Sequence, residues 1–549
     1  MSLLRSNVVV ATGTTLSRLT GLGRVLVFGY VLGQKALADA YTIGNETPNI
    51  VYELLIGGVL SATLVPLFTS FVEDDDEESA NAVISVTLVA LAVLTFIAVL
   101  AAPWIFGIYT VDPSSSVDAE QFREVGTLLT RIFLLQIFFY GATGLANAVL
   151  NARRQFFAAA WSPILPNVII IATMLSLPQP TGGTWGLADV LSNDRLRWTL
   201  GLGATVGIAS MAIVLAIAVR RAGVRVRPNL QFRHPAVRRL LSLSGWTLGY
   251  VAAHQVTTAV VRNLADPGSG DARAYFVAFT FFVLPHGLLA VSIATTFAPE
   301  LARAVDRRDR RGFVTQVSLG ARLVALLTLP AGALIFVLRR PVIGAVAQYG
   351  EYTAADVANA SRALGGFALG LAGFSVYLFV LRGFYAHQDT RTPFMINLVQ
   401  TGLNIVLAVA LVGRYGILGL AIALAVSYVL CAVLALNVMS YKVPGFSMGE
   451  VLVSVARMAL AAAIAAEVAF LLSRLVGARA GPAAFLRLTV GGTVGIAVYI
   501  GVLGLLRVPE LDALRRKVAG RLAQTPEPAV AGRQRVAAVP PGRLDADDQ

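Results

Sequence analysis

The feature that most constrains this chain is the recurrence, along nearly its whole length, of uninterrupted apolar runs. Each run is about 20 residues long, enough to cross a hydrocarbon core of about 30 Å as an α-helix. Inside lipid only helices and closed barrels satisfy every backbone polar group internally. A barrel would be written as short alternating segments, whereas these runs are continuously apolar. The fold class is therefore an all-α polytopic membrane protein. With 56% hydrophobic and 14% charged residues, an ordinary soluble protein is excluded.

The runs predict about fourteen spans, near 7–33, 43–72, 80–110, 122–152, 160–178, 198–220, 236–264, 273–301, 313–338, 359–386, 393–412, 416–440, 449–474 and 483–507. The first run is long and interrupted by arginine, unlike a cleavable signal peptide, so it is expected to remain as the first helix. The formal net charge of +13 would suit a nucleic-acid binder, but the basic residues gather in the loops between runs. Arg220, Arg221, Arg225, Arg227, Arg233, Arg238 and Arg239 follow the sixth run, and Arg303, Arg307, Arg308, Arg310 and Arg311 follow the eighth. The positive-inside bias places both loops, and with them both termini, in the cytoplasm. The acidic run Glu73 to Glu78 falls on the same side, since acidic residues weigh little in topology, and reads as a solvated connector or, alternatively, an interaction patch for a basic partner. From Gln524 onward, proline-rich sequence without periodicity predicts disorder.

An internal repeat divides the chain. WSPILPN, with Pro163 and Asn167, matches RTPFMIN, with Pro393 and Asn397, and VLSATLVP ending at Pro66 matches SIATTFAP ending at Pro299. Similar displacements at both places imply a parallel duplication of six spans. The expected organisation is an N-terminal half at 1–230, a C-terminal half at 231–445, two extra helices at 446–510 and a cytoplasmic tail at 511–549. Two such bundles rocking about a central cavity give alternating access.

Leu16 to Pro66 is apolar yet carries Arg18, Arg24, Asp39, Glu46 and Glu53 at or near bilayer depth. Charges there are costly unless they face water, a partner or a ligand. Ser17, Arg18, Gly21, Gly23 and Arg24 combine small residues with guanidinium forks that suit phosphate oxygens. Pairing of Arg18 with Glu46 or Glu53 is the competing reading, and an ion pair of that kind is also compatible with later release to a ligand. Asp39 is expected in a turn between the first two helices. Pro48 and Asn49 are expected to interrupt the second helix, with Asn49 and Glu53, one turn apart, facing a cavity. In the second half His254, Arg262 and His286 are the polar residues at depth, Arg262 close enough to a helix end to snorkel. The one cysteine, Cys431, reads as a small buried residue. No metal-ligand spacing, Walker loop or nucleophile elbow occurs, so no metal or cofactor is expected and the chain does not read as an ATPase or hydrolase.

SRLTGLGR at Ser17–Arg24, the Asp39-Ala40 pair, Pro48-Asn49, GGVLSATLVP ending at Pro66 and RGFYAHQDTRTP at Arg382–Pro393 resemble the MurJ (MviN) family of lipid II flippases, within the multidrug/oligosaccharidyl-lipid/polysaccharide exporter superfamily. The resemblance is to members of the actinobacterial type, here expected without a pseudokinase domain. It implies a V-shaped pair of bundles with a cationic cavity for a polyprenyl-diphosphate-linked disaccharide-pentapeptide, and a polyprenyl groove on the last two helices. It implies residence in the bacterial cytoplasmic membrane, driving by membrane potential or a monovalent cation, and cell-wall synthesis proteins as partners. Arg18, Arg24, Asp39 and Asn49 inherit site roles at matched positions. Two departures stand out. Tyr52-Glu53 replaces a pair of arginines after Pro-Asn, and Thr280 stands where the family has an arginine early in the eighth span. The cavity is thus expected to rest on Arg18 and Arg24, balanced by a carboxylate at Glu53. Rival readings are export of another polyprenyl-linked glycan or an amphipathic drug, a non-transporting scaffold for cell-wall enzymes, and an integral-membrane glycosyltransferase.

Overall fold

A computed structural model describes residues 3–49, 64–177, 180, 183–224, 227–238, 255–475, 477 and 481–511. The described residues hold helices and no strand. In chain order the main helices are α1 (Leu3–Leu32), α2 (Ala36–Glu46), α3 (Val65–Glu73), α4 (Glu77–Leu100), α5 (Ala119–Leu134), α6 (Gln136–Ala152), α7 (Ile164–Leu175) and α8 (Asp194–Arg221). They continue with α9 (Asp271–Pro285), α10 (Val291–Asp306), α11 (Arg310–Ala347), α12 (Ala354–Ala368), α13 (Leu371–Ala386), α14 (Arg391–Tyr415), α15 (Ile417–Lys442), α16 (Met448–Leu475) and α17 (Gly481–Leu505). A further helical stretch covers 255–264.

Among the described residues, ten helical segments are long and apolar enough to cross a membrane, and an eleventh arises if α12 and α13, bent by 48°, form one span. The second and seventh expected spans lie partly outside the described residues. Several expected helices are broken where the sequence weakens them. The run near 122–152 divides at Leu135 into α5 and α6. The eighth span is continuous from α9 to α10 only through a π-helical turn at His286–Ala290, directly after Pro285, which has no backbone N–H to give the helical ladder. α2 begins earlier than expected, so Asp39 lies in its first turn and not in a connecting turn. α2 ends at Glu46, and a turn at Thr47-Pro48 follows, as the proline predicts.

The polar connectors are capped locally. Asp76, in the acidic connector, accepts the backbone N–H of Ser79 at the start of α4 (2.9 Å), and the Ser79 side-chain and backbone hydrogen bonds hold its carboxyl below the usual range. Between α13 and α14, Asp389 accepts from Thr392 N (2.9 Å), Thr392 Oγ1 (2.6 Å) and Lys442 Nζ (2.7 Å). Burial raises its pKa, but the hydrogen bonds from Lys442 and Thr392 outweigh that effect and bring it to about 2. The specific part of RGFYAHQDTRTP is thus a clamp that ties the α13–α14 connector to the end of α15.

The apolar cores show how the two halves relate. At the end rich in basic connectors, hereafter the basic end, the cores formed by the described residues are separate. One core draws only on residues between Leu64 and Val237, including Phe68, Ile84 and Leu215. Another draws only on residues between Ala290 and Leu511, including Phe313, Phe379 and Met439. At the opposite end the cores merge across the halves. Phe28, Tyr41 and Phe133 share one core with Ala265, Ala272 and Leu420, and Val25 inserts into another with Ala278, Phe282 and Phe367. Among the described residues the halves therefore share apolar cores at the opposite end and not at the basic end. α16 and α17 pack on each other and on α11. Gly491 receives Leu338 of α11 and Ser473 of α16, and Gly495 receives Leu334 and Ala469, so small residues let these helices approach closely.

Candidate functional site

α1 carries the site because it is the helix shared by both halves. Its lower part lies on α7. Gly13 abuts the Trp161 ring, and Asn167 donates to Ser17 O (3.2 Å) and Thr20 Oγ1 (3.1 Å). The asparagine of the WSPILPN repeat therefore fixes the height at which Ser17 and Arg18 sit. The upper part of α1 instead packs against the second half, through Val25, Phe28 and Gly29, the last pressed on the Tyr352 ring.

Arg18 reaches from α1 to the π-helical turn of the second half. Its guanidinium lies against Gly287 so closely that any Cβ there would collide with Nη1. The π turn and the missing side chain together open this approach. His286 beside it is buried and hydrogen-bonds Ser375 Oγ (2.9 Å), with Arg18 and Arg382 as its charged neighbours. Arg24, nearly two turns further along α1, lies within electrostatic reach of Tyr41 of α2 and Arg273 of α9. Neither Arg18 nor Arg24 forms a hydrogen bond or ion pair with any described residue. Leaving a cation at this depth without an anion is unfavourable by several kcal/mol. On either side of the contact Thr14, Thr15 and Leu16 of α1, and Leu288, Ser292 and Thr296 of the facing span, are exposed. The described part of the site is thus a cationic seam where α1 meets the second half.

The expected pairing of Arg18 with Glu46 does not occur. Glu46 is taken by Arg262, which also donates to Ile43 O (3.3 Å) and lies over the Tyr109 ring at 5.0 Å. Arg262 is therefore a partner in an ion pair across the halves and does not snorkel to a helix end. The other proposed partner, Glu53, lies outside the described residues, as do Tyr52 and His254. Asn49, half-buried, follows the turn that ends α2 and has polar interactions of its own.

Asp39 is fully buried. Its Oδ2 accepts the backbone N–H groups of Gly268 (3.0 Å) and Gly270 (2.8 Å), and its Oδ1 accepts that of Arg273 (2.8 Å). One carboxylate of the first half thus caps the first turn of α9 in the second. Around it run further cross-half contacts: Gln34 to the Tyr352 hydroxyl, Glu351 N to Tyr30 O (2.9 Å), Lys35 to Glu351 (3.9 Å), Val111 N to Asn263 Oδ1 (2.6 Å) and Ser114 Oγ to Asp266 Oδ2 (3.0 Å). These contacts form a polar latch that closes the opposite end.

Arg273 is the residue the sequence reading passed over. It is buried, donates to Val25 O (3.1 Å), and stacks over Phe28 at 4.0 Å and Phe276 at 5.3 Å. Thr280, where the family arginine is missing, only returns its hydroxyl to Phe276 O (2.9 Å). Arg273 lies about two turns above Thr280 on the same helix, so this span still presents a guanidinium to α1, closer to the latch.

Comparison with known proteins gives a consistent result. The sequence model of a family described as lipid II flippase MurJ matches residues 28–491. The chain is similar to the lipid II flippase MurJ of Burkholderia cenocepacia, 28% identical over 427 residues that cover 76% of this chain and 80% of that protein. It is also similar to the probable lipid II flippase MurJ of Rhizobium meliloti, 27% identical over 550 residues, 97% of this chain and 100% of that one. Among solved structures, one described as lipid II flippase MurJ in an inward closed conformation superposes with a TM-score of 0.74 at 19% identity, covering 91% of this chain and 98% of its own. An inward-facing multidrug-resistance MATE transporter superposes with a TM-score of 0.64 at 13% identity, over 78% and 95%.

Proposed function

This chain belongs to the lipid II flippase MurJ family, and on that premise we propose that it carries a polyprenyl-diphosphate-linked disaccharide-pentapeptide from the inner to the outer leaflet of a bacterial cytoplasmic membrane. It is a multi-pass transporter and not an enzyme. The observation that carries the reading is the pair Arg18 and Arg24, two cations at bilayer depth without a described anionic partner, at the seam between halves. A diphosphate supplies the anion each lacks, and the bidentate fork of arginine matches its oxygens.

The positive-inside bias places the basic end and both termini in the cytoplasm. The head group enters where the cores are separate, between the first and eighth spans, and its diphosphate settles beside Arg18 at Gly287. Rocking of the halves then breaks the Asp39 and Glu46 contacts at the opposite end, closes the basic end and presents the head group outside. The polyprenyl chain stays in lipid along α16 and α17. Membrane potential or a monovalent cation drives the cycle, and cell-wall synthesis proteins receive the product.

Expression of this chain in a bacterium depleted of its own flippase tests the reading. It predicts restored growth and protease- or enzyme-accessible lipid II on the outer face. Restored export of a different polyprenyl-linked glycan, with lipid II left inside, would refute it.

A further inference from the structure

The second half carries a cationic strip at the wrong end. The positive-inside bias would clear arginine from the end opposite the basic connectors, yet Arg339, Arg340, Arg362 and Arg414 all lie there. The contacts make them one continuous surface across three helices. Arg339 of α11 packs on Gly365 of α12, and Ser361 of α12 donates to Arg339 O (3.4 Å). Arg362, one residue on, donates to Tyr415 O at the end of α14 (3.4 Å), and Arg414 lies over the Tyr415 ring at 5.7 Å. Arg339 donates to Phe336 O and lies over the Phe336 ring at 4.9 Å.

Three features mark this strip as more than solvated charge. None of the four arginines forms a salt bridge among the described residues, Asp271 standing only within longer electrostatic reach of Arg362, whereas Arg197 at the same end of the first half is paired with Asp194. Arg340, Arg362 and Arg414 are exposed, so their guanidinium groups are available. Tyr415 and Phe336 are also exposed, at 40% and 37%, and aromatic rings beside cations are the signature of head-group depth. The face below them is apolar, with Val406 and Val409 of α14 exposed.

We propose that this strip binds the phosphate groups of anionic glycerophospholipids in the leaflet at the opposite end, which the topology above makes the outer one. Guanidinium forks take phosphate oxygens, and the flanking rings rest among the glycerol and carbonyl groups. The lipids bound there neutralise a set of charges that the described residues leave without a salt bridge and hold α11, α12 and α14 at a fixed depth. The proposal is independent of what the transporter carries, so its failure would leave the flippase reading untouched.

The test uses the full-length protein in lipid nanodiscs of phosphatidylcholine containing increasing phosphatidylglycerol, with bound lipid counted by native mass spectrometry after release. Wild type is compared with Arg340→Gln/Arg362→Gln/Arg414→Gln and with Arg307→Gln/Arg308→Gln/Arg310→Gln/Arg311→Gln, which changes the basic end. Each arginine near an anionic head-group layer contributes roughly a fivefold preference, so the first variant should lose on the order of a hundredfold in phosphatidylglycerol affinity for one class of sites. The second variant should keep that class and lose another. Raised salt should weaken the wild-type preference, since exposed charges are screened. Equal phosphatidylglycerol retention by wild type and the first variant would overturn the proposal. So would loss of the same class in the second variant. Unfolding temperatures in pure phosphatidylcholine, expected equal for all three proteins, separate loss of a site from loss of the fold.

Discussion

Replacing Glu46 with Gln should open the latch. Glu46 and Arg262 come from opposite halves, with side-chain exposures of 28% and 13%. Removing one partner leaves the Arg262 guanidinium without its carboxylate in a site that water reaches poorly. For a fully buried pair that costs about 3–5 kcal/mol, and for an exposed one under about 1. At the observed exposure, with the Ile43 carbonyl and the Tyr109 ring still in contact, about 2 kcal/mol is a reasonable value. The loss falls on the state closed at this end, because only there do the two residues meet. About 2 kcal/mol is roughly a thirtyfold shift of the equilibrium toward opening. Spin labels on Ser192→Cys in the first half and Tyr349→Cys in the second, both exposed at this end, in a Cys431→Ala background, report the distance between halves by double electron–electron resonance. Wild type should give one short-distance population. Glu46→Gln should add a longer one, and the charge exchange Glu46→Arg/Arg262→Glu should return most of the signal to the short distance. An unchanged distribution in Glu46→Gln, or no recovery on exchange, would refute the reasoning.

Further expectations concern the site and its supports. Gly287→Ala should displace the Arg18 guanidinium without disturbing the fold, because the colliding atom is the end of a flexible side chain; transport should fall about tenfold, corresponding to about 1.4 kcal/mol, while the thermal unfolding midpoint stays near wild type. Asp39→Asn should weaken the latch by about 1–3 kcal/mol, since one amide oxygen cannot serve three backbone donors, and the same distance measurement should show the opening. For Asp389 the folded-state pKa is depressed to about 2. Its contribution to stability is therefore present above the ordinary carboxylate range near 4 and is lost as pH falls from there through about 2. Asp389→Asn should remove that portion of the acid-induced drop in unfolding temperature, and an identical pH profile for both proteins would argue against the Lys442 clamp.

The apolar runs made the fold class legible, because a bilayer permits few solutions to 20-residue hydrophobic segments. Arg18 and Arg24 were legible as charges out of place. Their surroundings were not, since Glu46 chooses a partner 216 residues away, a tertiary fact that no local pattern encodes. Asp39 looked like a turn residue because one capping residue of a helix and one loop carboxylate read alike, and only the register of the second half reveals the three donors it serves. Arg273 was overlooked because it stands two residues after Asp271, at the start of a run, where a charge is ordinarily solvated. The Pro285-His286-Gly287 sequence carried a signal that reasoning could have used. A proline followed by a glycine inside a span marks a local change of helical ladder, and here it makes the surface on which Arg18 rests.

The central claim is that Arg18 and Arg24 hold the diphosphate of a lipid-linked substrate at the seam between halves. Its most direct measurement is the movement of fluorescent lipid II across proteoliposomes containing wild type, Arg18→Ala, Arg24→Ala or, as a control, Arg220→Ala, which removes an exposed arginine in the last turn of α8, at the basic connector. The account predicts that Arg18→Ala and Arg24→Ala each abolish transport while the protein remains folded in the membrane, and that Arg220→Ala transports like wild type. Transport by Arg18→Ala at the wild-type rate would contradict it.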